Sequence, residues 1–189
     1  MKYLWMAALL FTMATNLSSA QDTLPVEEPN PGIQQNELKL NVFNLIAFKF
    51  ADLTYERLIN EETSFGFGLL LRIGEYDEDI GYDRSFSFTP FYRKYFSRSY
   101  ASGFFVEGFA MLNSGNEDVF TYFDEQTGNL IRSDEQYTDF ALGVSIGAKF
   151  ISKRGFLAEV YGGIGRNFLD SDFAPEVVPR GGISLGFRF

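Results

Sequence analysis

From Glu37 to the end of the chain, apolar and polar residues alternate with a period of two, in runs separated by glycine and polar clusters. The sixth run is the clearest. Phe140, Leu142, Val144, Ile146, Ala148 and Phe150 fall on one face, and Ala141, Gly143, Ser145, Gly147 and Lys149 on the other. The last run repeats it, with Ile183, Leu185, Phe187 and Phe189 opposite Gly182, Ser184, Gly186 and Arg188. The pattern predicts eight strands, at Leu38–Ala47, Leu53–Ile59, Ser64–Ile73, Ser85–Phe96, Gly103–Leu112, Tyr137–Ile151, Phe156–Arg166 and Gly181–Phe189. No helical stripe of useful length is predicted. Most of the runs suit the ~9–11 residues with which a tilted strand crosses a bilayer.

The connections alternate in length. Asn60-Glu61-Glu62, Ser97–Ser102 and Ser152–Gly155 are short, whereas Gly74–Arg84, Asn113–Gln136 and Asn167–Pro179 are long. Short turns at one end and long loops at the other are the pattern of outer-membrane barrels, with the short turns periplasmic. The first connection, near Phe48 to Asp52, breaks the rule by being short. The expectation is an all-β fold: an eight-stranded, antiparallel, up-and-down transmembrane β-barrel over residues 37–189.

Two segments precede it. Lys2, an apolar stretch from Tyr3 to Met13 and Ser18-Ser19-Ala20 read as a secretory signal over residues 1–20, cleaved before Gln21. The apolar run is too short to span a bilayer comfortably as an anchor. Residues 21–36, with Pro25, Pro29 and Pro31, read as a flexible periplasmic lead-in.

The alternation sends charges inward. Lys39, Glu56, Arg72, Arg93, Glu107, Lys149, Glu159 and Arg188 all fall on the predicted inner face. An eight-stranded lumen is just wide enough for side chains to fill it. Unpaired buried charge costs several kcal/mol, so these residues are expected to form a plugged, salt-bridged interior with no conducting pore.

Composition then narrows the chemistry. Cysteine and histidine are absent, which removes disulfides, thiolate metal sites, the commonest general base and the commonest metal ligand. The net charge is -9, and about -10 without Lys2, a sign that argues against a nucleic-acid partner. Mean hydropathy is -0.08, which a barrel tolerates because only alternate residues meet lipid. The chain holds 22 Phe and 10 Tyr. Phe96, Phe104, Phe150, Phe156 and Phe189 sit at the short-turn end, and Tyr82, Phe86, Tyr137, Phe140 and Phe168 near the long loops. Two such belts suit the headgroup regions. Ordinary strand propensity also favours these residues, but it does not place them at both rims. Phe187 and Phe189 resemble the terminal signal read by the barrel-assembly machinery.

Motifs that suggest catalysis have plainer explanations. Gly143-Val144-Ser145-Ile146-Gly147 and Gly182-Ile183-Ser184-Leu185-Gly186 match the nucleophile-elbow pattern, but lie within strands, with no following helix and no His to take the serine proton. Gly162-Gly163-Ile164-Gly165 lacks the helix and the Lys-Ser/Thr pair of a phosphate loop. Carboxylates crowd the long connections. Asp77, Asp79 and Asp83 form a candidate weak divalent-cation loop that could bridge Ca²⁺ or Mg²⁺ to lipopolysaccharide. A solvated, repelling surface is the favoured account. No cofactor and no catalytic residue is predicted.

The stretches Leu38-Lys39-Leu40-Asn41-Val42-Phe43-Asn44-Leu45, Leu53-Thr54-Tyr55-Glu56-Arg57, Pro90-Phe91-Tyr92-Arg93-Lys94-Tyr95-Phe96 and Gly103-Phe104-Phe105-Val106-Glu107-Gly108 resemble the small outer-membrane barrels of Bacteroidota grouped as a domain family of unknown function. The broader shape is similar to the barrels of outer membrane proteins A and X. The resemblance implies an eight-stranded barrel and an outer-membrane address in a Gram-negative cell, with lipid and lipopolysaccharide as surroundings. It transfers no catalytic residue. Function is expected to be non-enzymatic, structural or surface-interacting through the acidic loops. The alternatives are an outer-membrane enzyme, in which acidic pairs such as Asp77 with Asp79 would work without His, and a small-molecule binding or transport barrel, which predicts an apolar lumen.

Overall fold

The computed structural model describes residues 34–74, 84–97, 99–124, 129–169 and 175–189, and the backbone alone over 116–124 and 129–135. The segment read as a secretory signal, the stretch read as a lead-in as far as Ile33, Tyr82 and the loop carboxylates Asp77, Asp79 and Asp83 lie outside the described residues.

Eight strands close into an antiparallel barrel. They are β1 (Asn36–Asn41), β2 (Phe50–Leu58), β3 (Thr63–Arg72), β4 (Arg84–Tyr95), β5 (Gly103–Asp124), β6 (Asn129–Ile151), β7 (Phe156–Asn167) and β8 (Val177–Arg188). Each pairs with its chain neighbour, and β1 closes the seam on β8 through Leu38↔Phe187 and Leu40↔Leu185. Asn36 and Phe189 finish the seam with reciprocal backbone hydrogen bonds of 3.0 and 2.8 Å. Closure gives every strand of the barrel wall a neighbour on both sides, which a sheet without a covering layer requires.

The alternation is realised in three dimensions. Leu142, Val144 and Ile146 of β6 point outward and are exposed, while Ala141, Ser145 and Lys149 of the same strand are buried in the lumen. The inner face of β6 carries small residues because the facing rings from β5 need the space. A Cβ at Gly143 would lie 2.3 Å from Cζ of Phe109, and one at Gly147 would lie 2.5 Å from Cζ of Phe105. Both serine-centred repeats therefore sit in continuous strands, in β6 and β8.

Three features correct the strand pattern. First, the run expected as one strand over Leu38–Ala47 breaks at Asn41 into a short helix, α1 (Val42–Phe48). Asn41 caps it, its Oδ1 accepting from the Asn44 backbone N–H at 3.1 Å. Lys49 ends it with φ 55. The β1–β2 connection thus lies at the long-loop end and joins the long class, so the expected exception vanishes. Capping chemistry, not periodicity, decides this segment.

Second, the stretch read as a loop from Asn113 to Gln136 is mostly hairpin. β5 and β6 run to 22 and 23 residues and pair from Gly103↔Lys149 to Asp124↔Asn129, with one bulge between Asp118 and Phe120. Neighbouring pairings stop at Arg84↔Gly115 and Ala141↔Asn167, so beyond them the hairpin pairs with itself. The sequence of this stretch lacks a one-sided apolar alternation, which hides such a ribbon from a search for period two.

Third, β8 begins at Val177 rather than Gly181, which brings Arg180 into the wall. Tyr137 also departs from the outer belt: it is buried, on the inward parity of β6. Phe140 and Phe168 are exposed at that rim, as are Phe96, Phe104, Phe150, Phe156 and Phe189 at the other.

Candidate functional site

The lumen is built in tiers. At the short-turn end Leu58, Tyr95, Ala101, Phe105 and Tyr161 form one apolar cluster, and nearer the middle Phe91, Phe109, Met111, Ala141 and Val178 form another. Charged side chains thread between them, each brought inward by its parity on a strand.

Glu56 of β2 is the hub. Its carboxylate accepts from Lys39 Nζ at 2.5 Å, Lys149 Nζ at 2.9 Å, Arg93 Nη1 at 2.9 Å, Ser64 Oγ at 2.5 Å and Tyr95 Oη at 2.5 Å. Glu159 of β7 shares two of these cations, accepting from Lys39 at 2.8 Å and Arg93 Nη1 at 2.7 Å. Glu107 of β5 accepts from Arg93 Nε at 2.6 Å and pairs with Arg180. Glu37 of β1 accepts from Lys149 at 2.6 Å and Arg188 Nε at 2.8 Å. Arg188 extends the set to the short-turn end by donating to the Tyr100 and Ala101 carbonyls.

The sum is Glu37, Glu56, Glu107 and Glu159 against Lys39, Arg93, Lys149, Arg180 and Arg188, all buried or nearly so. Moving such groups from water into a dry interior costs several kcal/mol per ion unless partners replace the lost hydration. Here each carboxylate meets at least two cations. Arg93 adds a second compensation. Its guanidinium carbon lies 4.3 and 4.5 Å from the ring centroids of Phe105 and Phe91. Its Nη2 makes no hydrogen bond, and cation–π attraction from those rings offsets that loss in part.

Seven of the eight residues expected in the lumen therefore meet in one network: Lys39, Glu56, Arg93, Glu107, Lys149, Glu159 and Arg188. The eighth, Arg72, is placed elsewhere. It stands at the long-loop end of β3, over the Phe50 ring at 5.3 Å, and donates to the Arg84 carbonyl at 2.8 Å. Sequence reasoning missed Glu37, because the first run was started one residue late, and Arg180, because the last was started after it. Both share parity with residues that were found, so extending each run by the same rule would have included them. Phe187 and Phe189 are exposed on the outer surface, Phe187 meeting the Phe156 ring edge-on at 5.9 Å.

Above the network, toward the long loops, lies a cavity of about 340 Å³. Helix α1 walls one side with Phe43, Asn44 and Phe48, and Leu70, Met111 and Pro179 supply further apolar surface. Three charged residues line it: Asp52, Arg84 and Arg180. Asp52 is fixed by the amides of Asn41 and Asn44, donating to its Oδ2 at 2.9 and 2.7 Å. Among the described residues, no group of three or more His, Cys, Asp or Glu side chains could hold a metal ion.

The chain matches no protein-family model, no curated protein and no solved structure.

Proposed function

We propose that the chain is an integral outer-membrane barrel of a Gram-negative cell, sealed across its short-turn half by the ion-pair network, and that it serves a structural or surface-interaction role rather than catalysis. One observation carries the reading. Large apolar side chains are exposed on the outer face of all eight strands, among them Leu38, Leu53, Phe67, Tyr92, Val106, Val144, Ile164 and Leu185, while Lys39, Glu56, Arg93, Glu107 and Lys149 are fully buried. Soluble monomers rarely expose contiguous apolar patches beyond a few hundred Å², whereas a lipid-facing belt is what a membrane barrel needs.

The network supports a sealed lumen. Its side chains reach one another from seven of the eight strands and fill the space that a conducting channel would use. It also disfavours a soluble carrier, whose interior would be apolar. The resemblance to small Bacteroidota outer-membrane barrels belongs to the same proposal, as does recognition of Phe187 and Phe189 by the barrel-assembly machinery. A non-catalytic role is favoured because each network carboxylate is committed to cations and the chain offers no histidine or cysteine.

Fractionation tests the address. The protein is expected in outer membranes after carbonate extraction, with faster migration on an unboiled gel than a boiled one. Release into the soluble fraction would overturn the proposal.

A further inference from the structure

We infer that the cavity beneath α1 takes up an apolar alkyl chain from the surrounding bilayer, through a break in the strand wall that α1 covers. Lateral entry presupposes the membrane reading proposed above.

The break follows from the register. β1 makes its last pair with β8 at Asn41↔Ser184 and its last with β2 at Leu40↔Leu53. Toward the long loops β8 runs on from Ile183 to Val177, and β2 from Asp52 to Phe50. Among the described residues no strand pairs between them there, and α1 stands in the place of the missing half-strand. Irregular backbone at membrane depth is tolerated only where protein covers it or where it lines a cavity. Both hold here: Asn41 Nδ2 donates to the Gly181 carbonyl at 3.1 Å, and Gly181 and Gly182 line the cavity. The cover is light. No residue of α1 is buried, and Ile46 is 81 % exposed. Elements with so few buried contacts open at low free-energy cost. The outer surface flanking the break is apolar, with Leu53 and Leu71 exposed on one side and Val177 and Ile183 on the other, so the approach is from hydrocarbon.

The chemistry of the cavity matches. Its volume of about 340 Å³ falls at the small end of ligand pockets, which run from ~300 to 1,000 Å³. Phe43, Phe48, Leu70, Met111 and Pro179 give it apolar walls. Its charged side chains are already engaged. Arg180 pairs with Glu107, Asp52 accepts from the Asn41 and Asn44 amides, and Arg84 donates to the Pro179 carbonyl at 3.3 Å. A charged ligand would have to compete with those partners, whereas an alkyl chain needs no polar partner when buried. The ion-pair network lies below, so the chain ends in the cavity.

The test uses the full-length mature protein in nanodiscs, with two probes. One is a phospholipid carrying a diazirine midway along an acyl chain, and the other is a free diazirine-bearing dodecanol. Carbene adducts are mapped by mass spectrometry. Leu70 and Met111 are buried in the lumen and report the cavity, whereas Leu142 and Val144 face outward and report ordinary lipid contact. Both probes should label both pairs. A Cβ at Gly68 would meet only ordinary contacts, at 3.6 to 3.9 Å, so Gly68→Leu fills the cavity without disturbing the strand. In that variant labelling of Leu70 and Met111 should fall at least fivefold and that of Leu142 and Val144 should not change, in protein that keeps its heat-modifiable gel shift. Outer adducts without inner ones, or inner adducts unchanged in Gly68→Leu, would overturn the site. Inner labelling by the alcohol but not by the phospholipid would overturn entry of a lipid chain from the bilayer. Absence of the outer adducts would remove the membrane reading itself, and lateral entry with it.

Discussion

Arg93 and Glu107 face each other directly in the β4–β5 register, and Arg93 Nε donates to the Glu107 carboxylate at 2.6 Å. The same guanidinium reaches Glu56 and Glu159 through Nη1, so one side chain ties together three carboxylates from β2, β5 and β7. Removing it would take one cation from each of three buried carboxylates, leaving Glu107 with Arg180 and Glu159 with Lys39 alone. Arg93→Met should therefore destabilise the barrel by roughly 3–5 kcal/mol, the usual result of breaking a buried ion pair from one side. Urea unfolding in lipid vesicles checks this; a loss below about 1 kcal/mol would show that the network is not what holds the lumen.

Packing on the two faces of the sheet gives a paired prediction. Gly147 has no room inward, with Phe105 in the way, whereas Gly108 and Gly162 have nothing within 4 Å of an added Cβ. Gly147→Leu should cost at least the ~1–3 kcal/mol of ordinary overpacking. Gly108→Leu and Gly162→Leu should be neutral or mildly stabilising in lipid, as read by the same unfolding curves.

Planar-bilayer recording addresses the sealed lumen. Reconstituted protein should show no stable conductance step. A large, steady step in the intact protein would mean that the ion pairs part and leave a water-filled path.

Asp139 organises the long-loop rim. Its Oδ1 accepts from the backbone N–H groups of Phe140, Phe168 and Leu169 at 2.6, 3.2 and 2.9 Å. Asp139→Ala should release the latter two, and hydrogen exchange at Phe168 and Leu169 should quicken at least tenfold while exchange in the middle of β6 stays slow. Uniform acceleration along β6 would instead mean that the carboxylate supports the whole barrel.

The period-two pattern was sufficient to place β3, β4 and β7 and the polarity of every strand, because a barrel of this size ties sequence parity directly to inside and outside. It failed where another rule governs. At Val42–Phe48 the apolar run continues, yet the Asn41 cap and Lys49 turn the backbone into α1. Along Asn113–Gln136 the strands persist without a one-sided apolar face. The network was legible as a set of inward charges. Its pairing was not, since Glu37–Lys149 and Arg93–Glu159 join residues 112 and 66 positions apart, and only closure brings them together. The cavity had no sequence signal, because its wall depends on α1.

The central claim is that the apolar face of the wall lies against lipid. The chain contains no cysteine, so single cysteines at positions 141 to 147 can each carry a bimane label, with brominated lipids as quenchers in reconstituted vesicles. Quenching should alternate: strong for labels replacing Leu142, Val144 and Ile146, weak for those replacing Ala141, Gly143, Ser145 and Gly147 in variants that fold. Equal, weak quenching at all positions, or the opposite alternation, would contradict the account.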